Sequence, residues 1–169
     1  KPASGDVVVV EIDAQSLLAL NHWPWPREYY AEAVRKLDAA GASLIAFDVD
    51  FSTQSTMSQD QIFEQAIAAS EATIVLPTLR QRVSSLQNDY IETRPIEAFR
   101  EHAVLASANI NPDRRGQLNQ YSYATMGDAS ARPSLASAIA GESGEITGSF
   151  AIDQSIDPTT IPRMSFLDL

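Results

Sequence analysis

Several residue types that carry enzymatic and metal chemistry are scarce in this chain. Its 169 residues include no cysteine, two histidines and seven glycines. The absence of cysteine excludes disulfides, thiolate nucleophiles and sulfur-ligated zinc. The two histidines, His22 and His102, lie too far apart in sequence for a short-spaced metal motif. Neither a GxSxG elbow nor a phosphate-cradling glycine loop occurs. We therefore expect a domain that is not an enzyme and that holds no cofactor and no metal.

Long apolar runs and positive charge are also lacking. The longest obvious apolar run is "VVVV" at 7–10, far below the roughly 20 residues that span a bilayer. The chain has 12 basic and 22 acidic residues and a net charge of -10, so its field repels nucleic-acid phosphates and anionic headgroups. We expect no nucleic-acid partner. Because residue 1 is Lys and no signal-peptide pattern follows, we expect a piece of a longer protein.

The first half of the chain alternates strands and helices. Its length and 44% hydrophobic content suit one domain, residues 1–169. The segments "VVVVEIDAQS", "ASLIAFDVDF" and "ATIVLP" are typical of buried strands, and helices are predicted at 26–40 and 59–70. Two successive βαβ units predict a parallel sheet with right-handed crossovers.

The second half has a weaker pattern. Residues 80–94 are polar and aperiodic, which indicates a long surface loop that could serve as a mobile lid. A short helix follows at "PIEAFREH", and "AVLASANI" is predicted to pair antiparallel with "LNQYSYAT". A helix at "PSLASAIAGE" and a strand at "GSFAID" complete the prediction. The expected fold is therefore α/β, a three-layer sandwich whose mixed sheet has a parallel N-terminal half and an antiparallel extension.

Both tryptophans stand in the loop "WPWP" before the first long helix. A residue before proline is held extended, so Trp23 and Trp25 sit on a rigid loop that leads into the helix. Packing alone would place one indole at the edge of the core and the other against Tyr29 or Tyr30. Arg27 lies in the first turn, where the helix macrodipole disfavours a cation. We therefore expect Arg27 to have an acidic partner.

Three aspartates follow predicted parallel strands and supply that partner. Asp13 ends the first strand, with Ser16 as a helix-capping candidate, and Asp48 and Asp50 end the second. The carboxyl edge of an open α/β sheet is the usual ligand crevice. One interpretation is a site for a small polar ligand or a cation, with the following candidates: Asp13, Ser16, Trp23, Trp25, Arg27, Asp48 and Asp50. The other is a structural Asp–Arg network with helix capping.

The segment "LIAFDVDFST" also resembles the opening motif of haloacid-dehalogenase phosphatases. That resemblance implies Asp48 as nucleophile, Asp50 as acid/base and Thr53 as a phosphate contact. The rest of the pattern departs from that family, because both lysines precede the motif and no "DD" follows it. A phosphatase is therefore kept as an alternative function.

A second resemblance covers almost the whole chain. The Asp13 and Ser16 pair, the "WPWPR" loop, the helix ending in "AGA" and the Asp-x-x-Phe at 48–51 occur in an order that resembles the CHASE sensory domain of the second type. This is a cyclase/histidine-kinase-associated sensory extracellular module. The chain departs from the family at "PDRRGQLNQ", so a family role for an arginine there is unsupported at Leu118 or Asn119.

The resemblance implies a periplasmic sensor in a bacterial inner-membrane receptor. Its expected partners are an unknown small-molecule or ionic signal, flanking transmembrane helices of the same receptor and a second copy in a homodimer. The intracellular output would be a diguanylate cyclase, phosphodiesterase, nucleotide cyclase or kinase. A domain that mainly mediates receptor dimerisation is a further alternative.

Overall fold

The computed structural model describes residues 1–21, 23–83, 89–128, 130–142 and 147–169. These residues form five α-helices and ten short strands. The helices are α1 (Ala14–Leu20), α2 (Arg27–Ala39), α3 (Met57–Ala69), α4 (Glu97–Arg100) and α5 (Leu135–Ile139). The strands are β1 (Val9–Glu11), β2 (Leu44–Ala46), β3 (Thr73–Arg82), β4 (Tyr90–Thr93), β5 (Val104–Ser107), β6 (Gln120–Ser122), β7 (Ala124–Met126), β8 (Ala131–Pro133), β9 (Ser149–Ala151) and β10 (Arg163–Ser165).

A central sheet of four strands is built around β3. Both β2 and β5 pair with β3 in parallel, and β4 pairs antiparallel with its distal half. The carbonyl of Val75 accepts from Phe47 N, whereas the carbonyl of Thr78 accepts from Ala108 N, so β2 and β5 flank β3 on opposite sides. The units β2–α3–β3 and β3–α4–β5 are the two strand–helix–strand crossovers of this sheet.

Helices cover both faces of the sheet, which gives three layers. Alternate residues of β3 point to opposite faces, so Ile74 and Leu76 join one buried cluster while Val75 joins another. The larger cluster holds the apolar faces of α2 and α3, which pack against each other. The smaller one lies under α5 and includes Ala138. The α/β fold class and the mixed sheet predicted from sequence are confirmed.

The first predicted strand has a different partner from the expected one. β1 pairs in parallel with β10, at the opposite end of the chain, and its register places Glu11 beside Ser165. It therefore does not form a βαβ unit with β2, and the two crossovers lie one strand further along than predicted. The pair still contributes to the common core, because Ile12 and Phe166 pack against the larger cluster.

Residues 80–82 and 90–93 form strands where a loop was predicted. The last residues of β3 pair with β4 in an antiparallel hairpin whose register joins Arg80 to Glu92 and Arg82 to Tyr90. Residues 84–88, the middle of the expected lid, lie outside the described residues. Sequence reasoning missed this hairpin because its exposed polar side chains do not show the apolar alternation of a half-buried strand.

The antiparallel extension consists of two small two-stranded pairs. β6 pairs with β9 and β7 with β8. The expected pairing of "AVLASANI" with "LNQYSYAT" is wrong, because β5 takes its place beside β3 instead. A bridge between Ser107 and Ser134 links the end of β5 to the start of α5.

Candidate functional site

A small cavity lies at the carboxyl edge of β2. Its volume is about 100 Å³. Asp48 and Asp50 line it directly after β2, on the segment that leaves the sheet once Phe47 N has bonded to Val75 O. The other lining residues come from the β2 segment, β3, the end of β4 and the residue after β5: Val49, Pro77, Leu79, Thr93 and Ala108. The cavity therefore lies at the strand edge where α/β folds bind ligands.

Both aspartates of this cavity are exposed to solvent. Asp50 Oδ1 accepts one hydrogen bond, from Ser52 N at 2.8 Å. Within the described parts of the chain, neither Asp48 nor Asp50 is in an ion pair. Burial raises the pKa of Tyr121, and the negative charge of Asp48 raises it further. The phenol of Tyr121 therefore lies close enough to Asp48 for the two groups to interact electrostatically.

Asp13 and Ser16 form a separate structural motif. Asp13 caps α1, and its Oδ1 accepts from Ser16 N at 2.7 Å. The Ser16 N–H and hydroxyl lower the pKa of Asp13. Ser16 is fully buried, and its Oγ lies 3.0 Å from Ser165 Oγ. These two candidates thus join α1 to the end of β10.

Arg27 is buried beside a different acid from the three predicted. Its Nε lies 3.4 Å from Asp60 Oδ1 in the first turn of α3, and its Nη2 donates to Thr53 O at 2.8 Å. Its guanidinium also lies 4.8 Å from the Phe51 ring centroid and 5.7 Å from that of Phe99. The expectation that Arg27 neutralises Asp13, Asp48 and Asp50 is therefore corrected. The partner comes from α3 because α2 and α3 pack side by side.

The two tryptophans have opposite environments. Trp25 is 3% exposed and its ring centroid lies 4.8 Å from that of Phe166, whereas Trp23 is 55% exposed. The two indoles meet edge-on at 5.5 Å. Trp25 also contacts Tyr29 and Tyr30, so one indole takes both of the places that the packing interpretation gave to two. Trp25 Nε1 is buried and has no acceptor within the described ranges.

The seven candidate residues therefore divide into three groups. Asp48 and Asp50 line the cavity, while Asp13, Ser16, Trp25 and Arg27 take part in packing, capping and ion pairing, with Trp23 at the surface. Among residues 1–21, 23–83, 89–128, 130–142 and 147–169, no three His, Asp or Glu side chains come together as a possible metal site.

Other contacts of the site were missed from sequence. Asp60 lies in the first turn of α3, after the N-cap Thr56. An acidic residue at this position of a predicted helix could have been recognised from the sequence. The role of Thr93 as a cavity wall depends on the β3–β4 hairpin, and that of Phe166 depends on the β1–β10 pair. Local patterns contain no signal for either long-range pairing.

The phosphatase alternative finds partial geometric support. Asp48 and Asp50 line one cavity, as that chemistry requires, but the Thr53 carbonyl is bonded to Arg27. Of the two lysines, Lys1 is paired with Asp153, and Lys36 lies in the last turn of α2. Neither is placed against the cavity.

The fold is thus a three-layer α/β domain with a small acidic cavity at its sheet edge. The chain belongs to the CHASE2 family, since the family model described as CHASE2 domain matches residues 1–167. This match confirms the family resemblance drawn from the motifs. CHASE2 domains are extracellular sensory domains of signalling receptors. The chain matches no curated protein and no solved structure.

A helix that crosses a bilayer needs about 20 mainly apolar residues. In the part of the chain that the structure describes, no helix is both long enough and apolar enough to cross a membrane.

Proposed function

We propose that this chain is the ligand-sensing periplasmic domain of a bacterial membrane receptor. It passes a conformational signal through flanking membrane helices to an intracellular output such as a diguanylate cyclase, phosphodiesterase, nucleotide cyclase or kinase. Membership of the CHASE2 family supports the sensory role. The observation that supports the ligand site is the pair of carboxylates, Asp48 and Asp50, in one cavity with no ion-pair partner among the described residues.

The size and charge of the cavity support a small, positively charged occupant. Its volume of about 100 Å³ is well below the roughly 300 Å³ at which sites for drug-sized ligands begin. Two carboxylates favour a positive group, and no third acid joins them as a metal ligand within the described ranges. The proposed occupant is therefore the ammonium group of a small organic solute.

A continuous aromatic cluster connects this cavity to the end of the chain. Phe51 follows Asp50 directly, and its ring centroid lies 5.2 Å from that of Tyr30. Tyr30 contacts Trp25, which packs on Phe166 at 4.8 Å. Close-packed side chains transmit displacements because they leave few voids. A movement of the Asp48–Asp50 segment would therefore reach Phe166.

In this proposal, the β1–β10 pair is the part of the domain that passes the signal to the flanking membrane helices. It joins the two end segments of the chain in parallel, with Val9 beside Arg163. The buried Ser16–Ser165 hydrogen bond fixes the pair to α1. A ligand shifts the balance between two arrangements only by its differential affinity for them. In this proposal the two arrangements differ in how Phe166 packs on Trp25.

A thermal-shift screen of the 169-residue chain tests the ligand site. The compounds are metals, nucleotides, amino acids, organic acids and small primary amines. A compound that binds only the folded state raises the apparent stability. We expect at least one ammonium-bearing compound to raise the unfolding temperature, and we expect the double variant Asp48→Asn/Asp50→Asn to lose that response.

A control variant removes the same charge elsewhere. Glu71→Gln/Glu101→Gln neutralises two exposed acids that precede β3 and β5, at the opposite edge of the sheet. It should respond to the compound like the wild type. A response that survives in the Asp48 and Asp50 variant, or one that disappears equally in both variants, would contradict the proposed site.

A further inference from the structure

One face of the β3–β4 hairpin carries a group of arginines. Arg80 pairs across the strands with Glu92, and Arg82 with Tyr90. Residues two apart in a strand share a face, so these four side chains lie together and Arg94 continues the row beyond β4. Arg132, from β8, joins them through its ion pair with Glu92. We call Arg80, Arg82, Arg94 and Arg132 the arginine cluster.

The arginine cluster is separate from the acidic cavity. Leu79 and Thr93, which line the cavity, are the adjacent cross-strand pair of the same hairpin. Successive residues of a strand point to opposite faces. The hairpin therefore presents the cavity wall on one face and the arginine cluster on the other.

A single buried carboxylate lies at the centre of the cluster. The Glu92 side chain is 2% exposed, and its Oε1 lies 3.2 Å from Arg132 Nε. Its Oε2 accepts from Asp128 N at 3.2 Å and lies 3.9 Å from Arg94 Nε. A Cβ on Gly127 would lie 2.8 Å from Oε1, so the backbone at Gly127 packs closely against this carboxylate.

Positive charge exceeds negative charge at this cluster. Two of the four arginines, Arg94 and Arg132, are paired with Glu92, and Arg80 and Arg82 lie on the same face of the hairpin, in a molecule with a net charge of -10. Asp89 and Asp128 flank the cluster, but within the described ranges neither carboxylate forms an ion pair with it. One carboxylate cannot neutralise four guanidinium groups, so the cluster retains an excess of positive charge.

The guanidinium groups are also held in place. Arg80 lies 4.2 Å from the Tyr90 ring centroid, and its Nη1 donates to Met126 O at 2.8 Å. Its Nε is buried and has no acceptor in the residues described. Arg82 Nε donates to the Tyr90 hydroxyl at 3.0 Å. A guanidinium has five N–H donors, so most donors of these fixed groups remain for a ligand.

We propose that the arginine cluster is a binding site for a small oxyanion that carries two negative charges, of the dicarboxylate or phosphate class. Planar guanidinium groups suit such oxygens because they donate two parallel hydrogen bonds to them. Glu92 positions Arg132 and Arg94, and the anion supplies the charge that Glu92 alone does not. The site is independent of any occupant of the acidic cavity.

Calorimetric titration of the 169-residue chain with inorganic phosphate and with succinate tests the proposal. We expect saturable binding of at least one of them. The variant Arg80→Gln should weaken it about tenfold or more, because charge-assisted hydrogen bonds are lost. Arg80→Lys keeps the charge but loses the planar fork, so weaker binding than in the wild type would show that geometry matters. Arg35→Gln removes an equal charge from a half-exposed pair on α2 and should leave binding unchanged.

Further variants keep the test decisive. Arg82 is exposed, so Arg82→Gln should fold even if Arg80→Gln does not, and it should also weaken binding. The Asp48→Asn/Asp50→Asn variant should bind the anion normally, which separates this site from the acidic cavity. The proposal is overturned if neither anion binds saturably, or if Arg35→Gln weakens binding as much as the cluster variants do.

Discussion

Arg27 shows how one side chain joins several elements. It begins α2, yet its guanidinium bonds to Asp60 in α3 and to the Thr53 carbonyl between them. The Arg27 and Asp60 side chains are 9% and 13% exposed. Asp60 also accepts from Ser55 N at 2.9 Å. Arg27 therefore fixes the loop that follows the cavity aspartates, although it does not contact them.

Removing Arg27 should destabilise the fold strongly. Arg27→Ala leaves Asp60 buried without its partner and removes the cation above Phe51 and Phe99. Breaking a buried pair by removing one member costs about 3–5 kcal/mol. Urea unfolding should show a loss of this order in the free energy of unfolding.

Arg35→Ala is the matched control for that measurement. Arg35 lies on the same helix, and its pair with Glu32 is half-exposed, so its loss should cost less than about 1 kcal/mol. Equal stabilities of the Arg27 and Arg35 variants would mean that the Arg27–Asp60 pair contributes no more than a surface pair.

At the scale of elements, one carboxylate ties the end of α2 to the start of β3. Asp38 Oδ1 accepts hydrogen bonds from Ala72 N at 2.9 Å, Ser70 Oγ at 2.8 Å and Glu71 N at 3.0 Å. The Ala72 N–H, followed by the Ser70 hydroxyl, lowers the pKa of Asp38 below 3.8, the ordinary value of an aspartate. The ionised form is therefore favoured in the folded state.

This tie predicts a pH dependence of stability. A carboxyl whose folded pKa is lowered binds protons more weakly than in the unfolded chain, so its contribution is present above pH 3.8 and is lost as the pH falls below that value. Asp38→Asn keeps an acceptor oxygen but does not titrate. The variant should lower the free energy of unfolding at pH 7 and flatten its decrease in acid. An unchanged acid profile would contradict the assignment.

Local elements were predictable where their own sequence determines them. α2 and α3 have helical spacing and clear ends, and β2 and β3 are apolar runs that need no distant information. The β1–β10 pair and the β3–β4 hairpin were missed because their partners are distant or polar. The same difference divides the site. Asp48 and Asp50 follow a predictable strand, whereas the position of Asp13 depends on β10 and the partner of Arg27 depends on how α3 packs.

At the scale of the whole molecule, we predict self-association through the exposed apolar side chains of α1 and the tryptophan loop. Leu18 is 78% exposed and Trp23 is 55% exposed, and no Asp, Glu, Lys or Arg occurs between Ala14 and Pro26. Apolar surface without charge is typical of the centre of protein interfaces. This surface is where we place the homodimer that was expected from the sequence.

Sedimentation velocity over a range of concentrations tests the homodimer. Leu18→Gln should shift the distribution toward monomer. Met57→Gln, at an equally exposed apolar position on α3, should not. A wild-type chain that remains monomeric at every concentration would contradict self-association by this domain alone.

The phosphatase alternative is tested at the same scale, by hydrolysis of a generic phosphoester in the presence of magnesium. The sensor account expects no turnover above that of the Asp48→Asn variant. Turnover that depends on Asp48 would favour the phosphatase instead.

The fluorescence of Trp25 can report on the proposed connection between the acidic cavity and the chain ends. The only tryptophans are Trp23 and Trp25, and Trp25 lies between Tyr30 and Phe166. Replacing Trp23 with Phe leaves Trp25 as the sole indole, so its emission reports directly on this packing.

The decisive measurement is the emission of Trp25 in the Trp23→Phe chain, titrated with the ammonium compound that gives the largest thermal shift. The account predicts a saturable change in emission that follows the thermal shift and disappears in the Asp48→Asn/Asp50→Asn background. Emission that stays constant while the compound binds, or that changes equally without the two carboxylates, would contradict a signal passing from the cavity to Phe166.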